Sequence, residues 1–202
     1  TAYRRQRQMC IRDRNNKINL EDSWESQPSI SIDGKKLFFA SNRKGGYGGI
    51  DIYYSEKINN EWSDPVNLGP EVNSPSNEKS PFLHSDNQTL FFSSDRYPSI
   101  GKYDIFVSKK DSVGNWQEPT NLGYPINTKE SEISLVVSTD GNKAYFASNE
   151  MLGVGGWDLY SFSMPDKHKP KRVLLLSGDL TNEYGKYAVS YTHLTLPTIC
   201  SV

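Results

Sequence analysis

Cysteine and histidine are scarce in this chain, whose 202 residues include two cysteines and three histidines. Cys10 and Cys200 lie near opposite ends, so cysteine spacing indicates neither a disulfide framework nor a zinc site. His84 and His168 are far apart, and the absence of a G-x-S-x-G motif leaves no sign of a nucleophile elbow. We interpret His84 as a surface or partly buried polar residue and His168 as a solvated one. We therefore expect a non-enzyme without catalytic residues, metal or cofactor.

Long apolar runs and helical periodicity are also missing. No stretch approaches the length that crosses a bilayer, so we expect no direct membrane span. Hydrophobic residues make up 35% of the chain and aromatic residues 12%, while glycine and proline number 15 and 11. This composition is typical of an all-β protein rather than a disordered one.

Both ends of the chain resemble translations of a sequencing adapter and its reverse complement, at 9–14 and 189–198. We therefore exclude 1–14 and 189–202 from the fold as artefacts; the alternative is a genuine basic arm and a genuine tail. The first fourteen residues carry a net charge of +4, and removing it from the overall −1 leaves −5. That acidic balance predicts no nucleic-acid partner.

Two strand patterns around a loop occur three times, at 31–54, 85–107 and 139–161. Matching residues recur at intervals of 53 or 54 positions, and similarity at a fixed period indicates a repeat architecture. A second phrase, W-x-x-P-x-N-L-G, begins at Trp62 and again 54 residues later at Trp116. The repeated polar positions are Asp33, Asp86 and Asp140; Ser41, Ser94 and Ser148; and Asp51, Asp104 and Asp158.

Each repeat predicts an antiparallel meander. In the first repeat the predicted strands are 28–32, 36–41, 50–55 and 61–67, and Pro65 makes the last an edge strand because proline lacks a ladder N–H. An Asp-Gly or Asp-Asn pair predicts the tight turn after the first strand. One such sheet cannot bury two apolar faces, so the copies must stack, as in a β-propeller. A linear solenoid is the alternative, although its units are usually shorter.

The predicted fold class is all-β, a partial β-propeller of three four-stranded antiparallel blades with the start of a second β domain. The propeller covers 15–164, with blades at about 27–67, 80–121 and 133–163. Residues 165–171 hold lysines and prolines and are predicted to be a linker. We expect 172–188 to be the truncated start of a β-sandwich; the alternative is that 173–176 closes the third blade.

The repeated turn carboxylates and tryptophans fit structural roles. Asp33, Asp86 and Asp140 stand at tight turns, where a carboxylate caps backbone N–H groups; metal binding is the alternative interpretation. We expect Trp62 and Trp116 to pack at blade edges, and the alternative is an exposed ring that anchors a partner or a sugar.

The second set of aspartates follows the loop of each repeat. In one interpretation Asp51, Asp104 and Asp158 form a ring of carboxylates at the mouth of the propeller. In the interpretation we favour, each binds the loop of its own blade, for example Asp51 with Arg43 and Asp104 with Arg96. The third copy has glutamate in place of the arginine, so an arginine pair cannot be the role shared by all three.

The phrase S-x-D-G-K-x-L-F-F-A-S-x-R followed by G-G-x-D-I-Y resembles the WD40-like (PD40) propeller repeat of the TolB type, over about 27–164. With W-x-x-P-x-N-L-G and the N-S-x-x-x-E phrase from Asn73 to Glu78, the blades are similar to those of large Gram-negative cell-envelope proteins. The resemblance implies that a carboxypeptidase-regulatory-like β-sandwich and an OmpA-like domain follow. The periplasmic component of type IX secretion is one protein of this kind.

The resemblance implies a non-enzymatic protein-interaction scaffold in the periplasm or at the outer membrane. Its expected partners are envelope proteins and, through the missing C-terminal domain, peptidoglycan. Two alternatives stay open: a propeller that supports a peptidase or hydrolase domain, and a carbohydrate-binding propeller. The repeat is more specific for the fold than for the function.

Overall fold

The computed structural model describes residues 17–149, 154–174, 180–181 and 187–189. Within these ranges it contains fourteen β-strands in four sheets and one short 3₁₀-helix. None of the helical structure described there is long and apolar enough to cross a membrane. Three of the sheets correspond to the three sequence repeats, so the predicted all-β class and the partial β-propeller are confirmed.

The first sheet, blade 1, is an antiparallel meander whose last strand is divided. β4 and β5 both pair with β3, because a proline between them supplies no ladder N–H. The predicted fourth strand, 61–67 and broken by Pro65, is thus present as these two short strands. The strands are β1 (Glu25–Ile30), β2 (Lys36–Ser41), β3 (Asp51–Ile58), β4 (Glu61–Trp62) and β5 (Val66–Asn67).

The second and third sheets repeat this order. Blade 2 has four strands, whereas blade 3 has three within the described residues. Blade 2 consists of β6 (Glu78–Leu83), β7 (Thr89–Ser94), β8 (Asp104–Lys109) and β9 (Thr120–Asn121). Blade 3 consists of β10 (Glu132–Val137), β11 (Lys143–Ser148) and β12 (Asp158–Ser163).

The first strand of each blade begins earlier than the alternating pattern predicts. In blade 1 the pattern predicts 28–32, but β1 starts at Glu25 because its pairing with β2 shifts between Ser26 and Ser29. A bulge of this kind interrupts the two-residue alternation of side chains. The residues before the bulge therefore do not continue the alternation of apolar and polar side chains by which a strand is recognised in the sequence.

Adjacent aromatic residues in the second strand of each blade face opposite neighbours. Phe38 packs between blades 1 and 2 with Phe92, and Phe91 packs between blades 2 and 3 with Phe146. Every residue of β7 is buried, because blade 2 has a blade on each side. Burying a phenylalanine side chain contributes about 1.5–3 kcal/mol, so these two interfaces form the core.

Residues 164–171, which we call the strap, lie across blades 2 and 3. Met164 is buried in the core between them, and the 3₁₀-helix Asp166–His168 follows. The Nζ of Lys109 in blade 2 donates to the carbonyl of Lys169 at 2.9 Å. The prediction that His168 is solvated is wrong: its side chain is 4% exposed, because the strap folds onto the blades.

The last two strands form a separate two-stranded sheet, β13 (Leu180–Thr181) and β14 (Tyr187–Val189). The β-sandwich start at 172–188 stays a prediction. The N–H of Val173 donates to the carbonyl of Thr139 at 2.9 Å, outside any assigned strand. Residues 1–14, and 189–202 except Val189, lie outside the described residues.

One face of blade 3 repeats the core positions of the other blades, and no blade formed by the described residues covers it. Ile52 and Ile105 are fully buried, whereas Leu159 at the same place in the repeat is 86% exposed. Tyr145, in the register of Phe38 and Phe91, is 46% exposed. An apolar face of this kind is complementary to another sheet.

We expect the chain expressed by itself to self-associate through this face. In sedimentation velocity, Leu159→Lys should shift the sedimentation coefficients toward the value of a monomer, because a charge on this face opposes the stacking of two sheets. Val113→Lys, at a residue 83% exposed in a blade 2 turn, is the matched control and should change nothing. A monodisperse, cooperatively melting wild-type monomer would contradict the prediction.

Burial of His168 predicts a pH-dependent stability. Burial, followed by the charges of Lys167 and Lys109, lowers the pKa of His168 to about 4 from 6.5. Between these values the unfolded imidazole binds a proton that the folded one does not, so the free energy of unfolding should fall as pH falls from 6.5 to 4. Urea unfolding between pH 6.5 and 4 should show a smaller fall in the free energy of unfolding for His168→Gln than for the wild type.

Lys167→Gln provides an intermediate case, because it keeps the imidazole and removes one neighbouring charge. Its fall in unfolding free energy should lie between those of the wild type and His168→Gln. Equal pH dependence in all three proteins would refute the assignment.

Candidate functional site

The first set of repeated aspartates closes the tight turns of blades 1 and 3. Asp33 Oδ1 accepts from the hydroxyl of Ser31 at 2.5 Å and from the N–H of Lys35 at 3.0 Å. Asp140 is bonded in the same way by Ser138 and Asn142. The hydrogen bond from Ser138 is the main cause that lowers the pKa of Asp140 to about 2. These are the contacts of a turn-capping carboxylate.

In blade 2 the turn is tied to a buried histidine. His84 is fully buried, and its Nε2 donates to the carbonyl of Ser138 in blade 3 at 3.0 Å. The prediction of a surface or partly buried residue is therefore wrong, because blade 3 covers the position. Burial by itself would raise the pKa of Asp86, but hydrogen bonds from His84 and from Gln88 and Thr89 hold it well below the ordinary value.

A glutamate carboxylate stands at the start of each blade, and the sequence pattern shows its repetition but assigns it no role. Glu78 is fully buried and its Oε1 accepts from Ser94 Oγ at 2.8 Å and Arg96 Nη2 at 3.0 Å. Arg96 also donates to the carbonyl of Val72, in the loop that closes blade 1. We call this Glu–Ser–Arg cluster the blade latch, because it joins two strands of one blade to the preceding blade.

The Glu–Ser–Arg cluster of the blade latch recurs in blade 1, and its Glu–Ser contact recurs in blade 3. The latch corrects two predicted ion pairs. In blade 1, Glu25 accepts from Ser41 at 3.0 Å and from Arg43 at 3.3 Å. Arg43 and Arg96 therefore pair with glutamates, and the predicted pairs Asp51–Arg43 and Asp104–Arg96 are wrong. In blade 3, Glu132 accepts from Ser148 at 3.0 Å, while the glutamate that replaces arginine lies outside the described residues.

The second set of aspartates binds the loop of its own blade through backbone N–H groups. Asp51 accepts from Tyr47 N–H at 2.6 Å, from Gly48 N–H at 3.0 Å and from Asn67 Nδ2 at 2.8 Å. Asn67 in turn accepts from Asn73 Nδ2 at 2.7 Å. This relay explains why the N-L-G phrase and the asparagine after it repeat with the aspartate.

The same relay is present in blade 2, from Asp104 through Asn121 to Asn127. In blade 3, Asp158 accepts from Gly155 N–H at 3.0 Å, and no asparagine stands in the relay position among the described residues. The geometry places each carboxylate inside its own blade rather than in a ring at the propeller mouth.

The loop before each of these aspartates approaches the next blade closely. The N–H of Gly49 donates to the carbonyl of Ser76 at 3.1 Å, and the N–H of Glu78 donates to the carbonyl of Ile50 at 2.7 Å. A Cβ on Gly48 would collide with the carbonyls of Ser74 and Ser76. Glycine is therefore required there by the close approach of two backbones.

The inner strands of the three blades lie side by side and form a concave surface, which we call the inner wall. β1 packs beside β6 and β6 beside β10, and the open concavity over them has a volume of about 230 Å³. Each strand bulges at one left-handed residue, with φ of 55° at Gln27, 51° at Ser80 and 58° at Ser134. Such a backbone costs about 1–3 kcal/mol per residue and persists where packing enforces it.

Cross-blade hydrogen bonds hold the inner wall rigid. The N–H of Ser80 donates to Gln27 Oε1 at 2.9 Å, and the N–H of Leu83 donates to Ser29 Oγ at 3.0 Å. Apolar groups of Pro28 and Phe82 line the same cavity. The inner wall thus offers hydroxyl, amide and apolar groups in one arrangement, the combination that is usual at ligand sites.

The two repeated tryptophans pack on aromatic neighbours. Trp116 packs edge to face on Phe38 with ring centroids 6.4 Å apart, and Trp62 packs against the buried cluster of Phe39 and Tyr53. Within the described part of the chain, no group of three or more His, Cys, Asp or Glu residues could hold a metal ion.

Comparisons of the sequence assign no family. No protein-family model matches the chain. Over 103 residues the chain is 31% identical to the T-lymphocyte activation antigen CD86 of Mus musculus. The matched stretch covers 50% of this chain and 29% of CD86. Similarity to so small a share of CD86 does not show membership of its family.

Comparisons of the structure support the propeller fold. The chain is similar to a protein assigned as TolB from Agrobacterium tumefaciens, with a TM-score of 0.51 and 15% identity over 73% of this chain and 48% of that one. The similarity to TolB of Acinetobacter baumannii has a TM-score of 0.47 and 16% identity, and it covers 68% of this chain and 29% of that TolB. The chain spans less than half of either protein, and at these identities the similarity shows the fold alone.

The blade latch predicts a large stability effect from one side chain. Arg96→Met should lower the free energy of unfolding by about 3 kcal/mol or more, because the Glu78 carboxylate loses its cation while staying buried. Lys102→Met is the matched control: Lys102 pairs with Glu130 at 3.0 Å but is 68% exposed, so its loss should cost at most about 1 kcal/mol. Equal effects in urea unfolding would contradict the latch.

Proposed function

We propose that this chain is a non-enzymatic protein-interaction module of the Gram-negative cell envelope, in the periplasm or at the outer membrane. The observation that carries the proposal is the inner wall. Its hydrogen-bonding and apolar groups lie in one concavity of about 230 Å³, and cross-blade hydrogen bonds hold them in place.

A rigid concave surface favours protein binding because few groups must be ordered when a partner arrives. Ser134 and Val136 are exposed on this surface, and Ser80 lies beside Ser134, with hydroxyl oxygens 3.4 Å apart. A partner segment can therefore meet hydroxyl groups and an apolar side chain at one place. The expected partners are envelope proteins; peptidoglycan would be reached through a further domain.

The envelope location is supported by the resemblance of the repeats to TolB-type propeller repeats. A complete gene encoding an α/β-hydrolase segment with a G-x-S-x-G motif after residue 188 would instead support an accessory role for a peptidase or hydrolase. A gene encoding a β-sandwich and an OmpA-like domain would support the interaction module.

Site-specific photocrosslinking tests the proposal. A photoreactive residue at Ser134, in the gene that contains this chain, should yield discrete adducts with envelope proteins of a Gram-negative host. The control has the photoreactive residue in place of Lys129, which is exposed outside the inner wall, and it should yield few adducts. Absence of adducts at Ser134, or the same adducts at both positions, would refute the proposal.

A further inference from the structure

The third strand of blade 3 has an open edge. Within the described residues the sheet of blade 3 ends at β12, whereas in blades 1 and 2 a further strand pairs with the third one. After β12 the strap leads the chain away from this edge, and the N–H of Lys171 donates to Asp86 in blade 2 at 2.9 Å. The backbone groups of an open strand edge are a template for another strand.

The segment that fills this edge in blades 1 and 2 has the same pattern in both. We call it the closing segment; it reads V-N-L-G-P-E-V-N at 66–73 and T-N-L-G-Y-P-I-N at 120–127. Its glycine is left-handed, with φ of 85° at Gly69 and 76° at Gly123, and this turns the segment back toward the third strand. The sequence contains N-L-G only at these two places.

The second asparagine of the closing segment holds the backbone of the third strand. In blade 1 the N–H of Ile52 donates to Asn73 Oδ1 at 2.8 Å, and Asn73 Nδ2 donates to the carbonyl of Ile52 at 2.9 Å. In blade 2, Asn127 makes the same pair of bonds with Ile105. Leu159 holds this position in blade 3, where no asparagine among the described residues bonds its N–H or carbonyl.

The first asparagine of the closing segment binds the repeated aspartate. Asn67 Nδ2 donates to Asp51 Oδ2 at 2.8 Å, and Asn121 Nδ2 donates to Asp104 Oδ2 at 2.7 Å. Asp158 is the matching carboxylate of blade 3 and lacks this donor in the described part of the chain. The open edge therefore carries acceptors and a donor at the places where two asparagine side chains bind in the other blades.

The closing segment also covers apolar surface. In blade 2 its Leu122 and Ile126 are buried in the same cluster as Ile105. Leu159, the counterpart of Ile105, is 86% exposed, and Tyr145 on the same face is 46% exposed. One segment of this kind would therefore satisfy the polar edge of β12 and cover part of the apolar face beside it.

We propose that the open edge of β12 binds, by antiparallel strand addition, a segment of a partner protein with the pattern N-L-G-x-x-V/I-N. The first asparagine donates to Asp158, the second exchanges two hydrogen bonds with the backbone of Leu159, and the apolar side chains cover Leu159. Backbone pairing supplies affinity in strand addition, and side-chain contacts supply specificity. This edge belongs to the third strand of its blade and not to the inner wall, so the inference goes beyond the proposed function.

A peptide copy of the closing segment serves as the probe. Fluorescein-labelled V-N-L-G-P-E-V-N should bind saturably to the product of the complete gene in fluorescence anisotropy. The matched control peptide has aspartate in place of both asparagines. It should bind at least about tenfold more weakly, because its carboxylates would face the Asp158 carboxylate and the Leu159 carbonyl.

An exchange of donor and acceptor locates the first asparagine. Asp158→Asn should weaken binding of the probe by about tenfold, because a charge-assisted hydrogen bond is lost. A peptide with aspartate at its first asparagine should recover part of that loss in this variant, and a general disturbance of the loop would not produce such recovery. Asp64→Asn, at a side chain 81% exposed in blade 1, is the control and should change nothing. Circular dichroism checks that both variants are folded.

Hydrogen exchange in the wild-type protein gives a second measurement that needs no variant. The Leu159 amide should exchange quickly in the free protein and more slowly when the probe is bound, because the second asparagine then accepts its hydrogen. A Leu159 amide that is already protected without peptide would show that the protein's own residues fill the edge, and it would overturn the assignment to a partner.

Failure of this inference is distinguishable from failure of the proposed function. No saturable binding, or equal binding of the probe and the control peptide, would overturn the edge assignment while leaving the Ser134 adducts unaffected. Loss of those adducts with retained peptide binding would leave the edge assignment in place and remove the inner-wall argument.

Discussion

The structure depends on one constraint: each blade is a sheet with apolar side chains on both faces, and a sheet of this size cannot bury both without neighbours. Adjacent residues such as Phe38 and Phe39 point to opposite faces, so one strand supplies two interfaces. Stacking the repeats satisfies this requirement for blade 2, whose second strand is buried throughout. The remaining features either hold the stacked sheets in register or occupy the grooves between them.

The features that could be predicted from sequence are those that local chemistry determines. The strands of the repeat, the tight turns at Asp33 and Asp140, and the division near Pro65 follow from side-chain alternation, turn residues and proline. The bulge in β1 could not be predicted, because one extra residue breaks the alternation on which strand prediction rests. His84 and His168 were assigned too much exposure, because the residues that cover them lie in another blade or in the folded strap.

The polar networks show why a repeated residue does not reveal its partner. Asp51 and Arg43 both repeat in blade 2, so pairing them was reasonable, yet Arg43 binds Glu25 and Asp51 binds backbone N–H groups and Asn67. A buried guanidinium needs a buried carboxylate, and that carboxylate comes from the first strand, 18 residues earlier in the chain. The glutamates were visible as repeated residues, but only the pairing of first and second strands brings them to the arginines.

Differences between the copies carry more functional information than their agreement. Where the copies agree, as at the turn aspartates and at the Glu–Ser contact of the blade latch, the residue serves the repeat itself. Where the copies differ, equivalent backbone positions have different surroundings. Lys110 lines an open groove between blades 1 and 2, whereas Met164, at the equivalent position, is buried in the core and begins the strap. A lysine beside aromatic rings does less for packing than methionine does, since its ammonium resists burial. Lys110 instead lies 4.8 Å from the centre of the Trp116 ring, as Lys57 lies beside Trp62 in blade 1, so its ammonium stays at the surface while its contact with the ring holds the edge of the blade.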